Sequence, residues 1–89
     1  MEKLPEVIRI YGTGIDGLTS TLVKRTKKKA MYRRSDGVYE VFKIKIKKEQ
    51  TVFGRFYPNR EVYPGNEDFG DWAWCFNNKI DAMTEYSNI

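Results

Sequence analysis

The chain has 89 residues, 40% of them apolar and 15% aromatic, with a net charge of +4 and a pI near 9.2; that composition excludes a disordered tail and describes a single domain, residues 1–89. No run of about 18 apolar residues occurs, which excludes a membrane-spanning helix, and the first six residues (MEKLPE) lack the regions of a signal peptide, so a cytoplasmic location is expected. The absence of histidine and the single cysteine, Cys75, exclude a Cys/His zinc site, an internal disulfide and a histidine general base.

Val7 to Tyr11 (VIRIY) is rich in β-branched residues and predicts a short strand. Gly12 to Gly17 (GTGIDG) follows it and matches the G-x-G-x-x-G pattern. A dinucleotide site would need a helix to open at the third glycine, whereas the next residues, LTSTLV, form helices poorly. The segment is therefore read as a turn. Thr19 to Arg25 (TSTLVKR) alternates and predicts a second strand.

Ala30 to Lys47 predicts a hairpin around Asp36-Gly37, the dipeptide of a two-residue type I′ turn. That register sets Arg33 opposite Glu40, Tyr32 opposite Val41, Met31 opposite Phe42, Ala30 opposite Lys43 and Lys28 opposite Lys45. The returning strand alternates Phe42, Ile44 and Ile46 against Lys43, Lys45 and Lys47, a half-buried strand with a cationic outer face.

Glu49 to Gly70 is punctuated by Gly54, Pro58, Pro64, Gly65 and Gly70 and reads as a long loop, with a short strand around Val52 to Tyr57 and a type II turn at Pro64-Gly65. Asp71 to Phe76 (DWAWCF) predicts a strand with Trp72, Trp74 and Phe76 on one face and Cys75, buried and inert, on the other. Asn78 with Asp81 three residues on predicts a helix start, and Ile80, Met83 and Tyr86, with Ala82, an apolar stripe running to about Ser87. The fold class expected is α+β: an antiparallel sheet of four to five strands, mostly a meander, with one C-terminal helix packed on one face.

Charge is distributed unevenly. Residues 24–48 hold eleven of the sixteen Lys and Arg and two acids, a net +9, while residues 61–89 carry −5. Lys27, Lys28, Lys29, Arg33, Arg34, Lys43, Lys45 and Lys47 form a concentrated basic stripe, the expected footprint of nucleic-acid or other anion binding. The same stripe also suits a solvated sheet face that blocks edge aggregation. Eight of the thirteen aromatics lie in residues 53–76. Most are read as core; in the loop, Phe56, Tyr57, Arg60 and Tyr63 form an alternative, protein-binding set. Glu67, Asp68 and Asp71 lack the spacing of a calcium loop and read as a solvated acidic turn, so neither metal nor cofactor is expected.

The segments Ala30–Ile46, with Asp-Gly-Val-Tyr-Glu-Val-Phe, and Glu61–Phe76, with Val-Tyr-Pro-Gly-Asn-Glu-Asp-Phe-Gly and Trp-Ala-Trp-Cys-Phe, resemble small uncharacterised proteins encoded by bacteriophages. The resemblance implies an accessory protein in the host cytoplasm that binds a host protein or nucleic acid. The function expected is non-enzymatic binding: the basic face engages nucleic acid or a nucleic-acid-handling host complex, or the aromatic loop 53–70 binds a host protein as an inhibitor or adaptor.

Overall fold

The computed structural model describes residues 1–9 and 17–89. The first four strands are β1 (Val7–Arg9), β2 (Thr19–Arg25), β3 (Lys29–Arg34) and β4 (Tyr39–Lys43). They run as an antiparallel meander. The chain then leaves the sheet through β5 (Lys45–Lys47), β6 (Gln50–Val52), β7 (Arg55–Tyr57) and β8 (Arg60–Val62), and a 3-10 turn at Asn66–Asp68. It returns as β9 (Ala73–Phe76), which pairs with β4, and ends in helix α1 (Lys79–Asn88). The fold is α+β, as the sequence predicts, with five strands in the order β1-β2-β3-β4-β9. Two further pairs, β5 with β8 and β6 with β7, stand apart from it. The GTGIDG reading falls on residues 12–17, of which all but Gly17 lie outside the described residues.

Both faces of the main sheet are buried. On one, Ala30, Tyr32, Phe42 and Ala73 pack with Trp72 under Leu4, Leu22, Ile44, Val62, Tyr63 and Phe69. On the other, Met31 and Val41 meet Ala82 and Tyr86 of α1, with Tyr39, Phe76, Met83 and Ile89 around them. This division follows from the hairpin register, which differs from the expected one by a residue. Arg33 pairs with Tyr39, Tyr32 with Glu40, Met31 with Val41, Ala30 with Phe42 and Lys29 with Lys43. The loop has three residues, Ser35, Asp36 and Gly37. It is closed by Arg34 N–H to the Val38 carbonyl (2.8 Å) and Gly37 N–H to the Arg34 carbonyl (2.9 Å). Only Gly37 takes a positive φ, +92°, so Asp36 keeps ordinary backbone and its carboxylate pairs with Arg34 instead. This is a turn followed by a left-handed glycine, the common three-residue solution, rather than type I′.

Other local expectations are corrected by packing. The returning strand breaks at Ile44: Phe42 and Ile44 pack together on the Tyr32 side as expected, whereas Ile46 is exposed in β5. Trp72 precedes β9 and joins the Tyr32 side of the sheet, while Phe76 packs on the helix side. Cys75 is exposed, because β9 is an edge strand. Ile80 is exposed as well, and α1 buries Ala82 and Tyr86 instead. Gly65 has φ −84°, unlike the positive φ that a type II turn demands of its second central residue, and starts the 3-10 turn. Val52 to Tyr57 is a hairpin rather than one strand. The Asn78 cap is present: its Oδ1 accepts the Asp81 N–H at 2.8 Å.

One ion pair ties the small β5–β8 sheet to the large one. Arg25, at the end of β2, donates to both carboxylate oxygens of Glu61 in β8, each at 2.7 Å, and the Leu4 N–H adds a third bond at 2.9 Å. The Arg25 fork holds the Glu61 carboxyl at about 2, well below the ordinary carboxylate range.

Candidate functional site

The turn from β2 to β3 builds one wall of a basic groove. Thr26 Oγ1 accepts the N–H groups of Lys28 (3.1 Å) and Lys29 (3.2 Å), and the Thr26 N–H donates to the Lys29 carbonyl at 2.8 Å. A hydroxyl that satisfies its own turn is a local reason for the chain to reverse here. The β4–β5 junction forms the other wall, held in place by the Ile44 N–H on the Lys28 carbonyl at 2.8 Å. Thr26 to Lys29, Lys43 to Lys45 and Ile89 enclose an open groove of about 540 Å³. Five of its lining side chains are lysines and none is Asp or Glu.

The five lysines are not equivalent. The Lys29 ammonium donates to the carbonyls of Tyr86 (2.6 Å) and Ile89 (3.2 Å), and it lies 4.6 Å from the centre of the Tyr86 ring. It thereby supplies the cation that the last turn of α1 lacks in its own sequence. Lys45 lies 4.8 Å from the centre of the Trp72 ring. Lys27, Lys28 and Lys43 are exposed and have no carboxylate partner among the described residues. Lys29 and Lys43 sit directly opposite each other, as do Lys47 and Arg60. Like charges in that relation repel, and a bound anion relieves them.

The remaining basic residues lie elsewhere. Arg33 stacks over Tyr39, 5.9 Å from the ring centre, and lines a separate hollow with Thr19, Thr21, Val23 and Ser35. Arg34 is engaged with Asp36. Lys47 lies in β5, outside the groove lining. The expected Arg33–Glu40 pair does not form, because the register puts the two on opposite faces. Glu40 is instead buried beneath Tyr63, whose hydroxyl donates to its carboxylate and lies 3.2 Å from Ser20 Oγ. Burial raises the Glu40 carboxyl to about 7, against the lowering influence of Arg34.

The alternative aromatic set is divided in the same way. Tyr63 is a core residue, edge-on to Tyr32 (5.4 Å) and Phe42 (5.3 Å). Phe56 is exposed, and Tyr57 and Arg60 are half-buried. The more conspicuous residue is Phe53, fully exposed at the apex of the β6–β7 hairpin; the only sequence signal for it was the glycine that follows. In the acidic turn, Asp68 accepts the Gly65 N–H at 2.8 Å, a structural role. Among the described residues, no cluster of acids and Cys is placed to hold a metal ion, and no helix is long and apolar enough to cross a membrane.

No protein-family model matches the chain, and neither a curated protein nor a solved structure is significantly similar to it.

Proposed function

We propose that the protein is a non-enzymatic nucleic-acid-binding module whose lysine groove holds backbone phosphates. The observation that carries this reading is the groove itself: five lysines from two separate turns line one hollow that, among the described residues, no acidic side chain enters. Lys27, Lys28 and Lys43 supply uncommitted charge, and Lys47 extends the row along β5. Lys29 and Lys45 already rest against the Tyr86 and Trp72 rings, which favours their placement along the groove. The resemblance to small phage proteins is consistent with such a module acting in a bacterial cytoplasm, alone or as part of a host nucleic-acid complex. The reading in which a host protein binds Phe56, Tyr57, Arg60 and Tyr63 is weaker, because Tyr63 is committed to the core.

The test is the salt dependence of binding to a single-stranded 20-mer. Four to five neutralised phosphates give a slope of log affinity against log salt of about −3 to −3.5. Changing Lys27, Lys28 and Lys43 together to Gln flattens that slope by about 2 units while the protein stays folded. Absence of binding at low salt overturns the reading.

A further inference from the structure

The β6–β7 hairpin is built against its own interest. Phe53 and Gly54 form its two-residue turn, at φ +51° and +75°. Those signs at both positions define type I′, which selects Asn, Asp or Gly at the first position. A bulky residue there is a strained outlier. The strain is not offset by packing, since Phe53 is 104% exposed; Phe56, opposite Thr51 in the same ribbon, is 60% exposed. The ribbon packs chiefly on itself. Four cations, Lys47, Lys48, Arg55 and Arg60, surround these rings in sequence, with Glu49 the one acid.

We infer that this ribbon is a stacking finger for single-stranded nucleic acid: Phe53 and Phe56 receive unpaired bases of a strand whose phosphates lie on the lysines. The inference rests on the groove reading and extends it from phosphates to bases. Aromatic rings among cations suit a polyanion that also offers π-faces. Unpaired bases present those faces freely, whereas entry into a duplex costs a few kcal/mol of unstacking at each step. The segment 45–50 links the two parts, running from Lys45 in the groove through β5 to the foot of the ribbon at Gln50, about 17 Å of chain at most.

The decisive measurement is fluorescence anisotropy with three ligands of equal length: a single-stranded 20-mer, an abasic strand with the same phosphates, and a duplex. The native protein is expected to bind the base-bearing strand about tenfold or more tightly than the abasic one. The pair Phe53→Asn and Phe56→Ser should bind both strands alike, at the abasic affinity and with an unchanged salt slope. Phe53→Asn installs the residue the turn prefers, so this variant should melt no lower than the native chain; a thermal scan checks it. The Lys27, Lys28 and Lys43 triple change to Gln should weaken both strands and preserve their ratio. Equal native affinity for the two strands, a ratio that survives loss of both rings, or tighter binding of the duplex overturns the finger. If salt-dependent binding persists in those cases, the groove reading stands. Binding to neither strand at low salt overturns both. Loss of capture of a host protein by the Phe53 and Phe56 variant, with its strand ratio unchanged, assigns the rings to a protein partner and likewise overturns the finger.

Discussion

Tyr63 donates its hydroxyl to the carboxylate of Glu40 across the non-helix face of the sheet, and this contact closes a buried polar corner completed by Ser20. Glu40 is raised to about 7 by burial, so between an ordinary carboxylate value and 7 the folded chain holds a proton that the unfolded chain has released. Stability is therefore fully present below about pH 4.5 as far as this group is concerned, and falls as pH rises through 7. Urea melts at pH 5 and pH 8 should differ by about 1–3 kcal/mol from this source. Glu40→Gln keeps an acceptor for Tyr63 and removes the charge. It should flatten that limb and leave the variant more stable than the native chain at pH 8. An unchanged limb removes Glu40 as its cause.

Glu61 acts with the opposite sign. Its carboxyl is held at about 2 by Arg25, so its contribution is present above the ordinary carboxylate value and is lost as pH falls toward 2. Glu61→Gln should cost about 2 kcal/mol at neutral pH, moderated by the partial exposure of Arg25. It should also reduce the acid limb of the native profile. The two glutamates together predict a stability maximum near pH 5.

Tyr86 is 5% exposed, and its hydroxyl has no hydrogen-bond partner among the described residues. Removing an unsatisfied buried hydroxyl while keeping the ring relieves a desolvation cost. Tyr86→Phe should leave the fold intact and raise stability by about 1 kcal/mol, read from chemical denaturation. A loss of more than about 1 kcal/mol means that the hydroxyl has a water partner that it needs.

The sequence disclosed those elements whose signals are local. Thr19–Arg25 alternates and is β2; Asn78 caps α1 through its own side chain. The hairpin register was not legible, because Asp36-Gly37 serves a three-residue loop as well as a two-residue one. Both faces of the sheet are buried, so apolar residues at Met31 and Tyr32 alike gave no alternation to decide between them. The basic stripe was visible as composition, but the groove was not. It depends on the Lys28 carbonyl holding Ile44, and on Lys29 turning to a helix 57 residues away. The ribbon was hidden because phenylalanine is the wrong residue for its turn.

The two adjacent lysines, Lys28 and Lys29, should separate structure from function. Lys29 bonds two carbonyls at the end of α1 and lies over the Tyr86 ring, so Lys29→Gln should lower stability by about 1–2 kcal/mol. Lys28 is exposed in the groove, and among the described residues only its backbone is engaged, through the Thr26 and Ile44 contacts. Lys28→Gln should leave the melting temperature in place and reduce the salt slope of strand binding by about 0.7, the share of one phosphate on a single strand. Lys29→Gln should change the slope by less than that, because its charge is directed to the helix. If Lys28→Gln destabilises the fold as much as Lys29→Gln does, the groove lysines are structural. If neither change moves the slope, the phosphate path lies along Lys47, Lys48 and Arg55 instead.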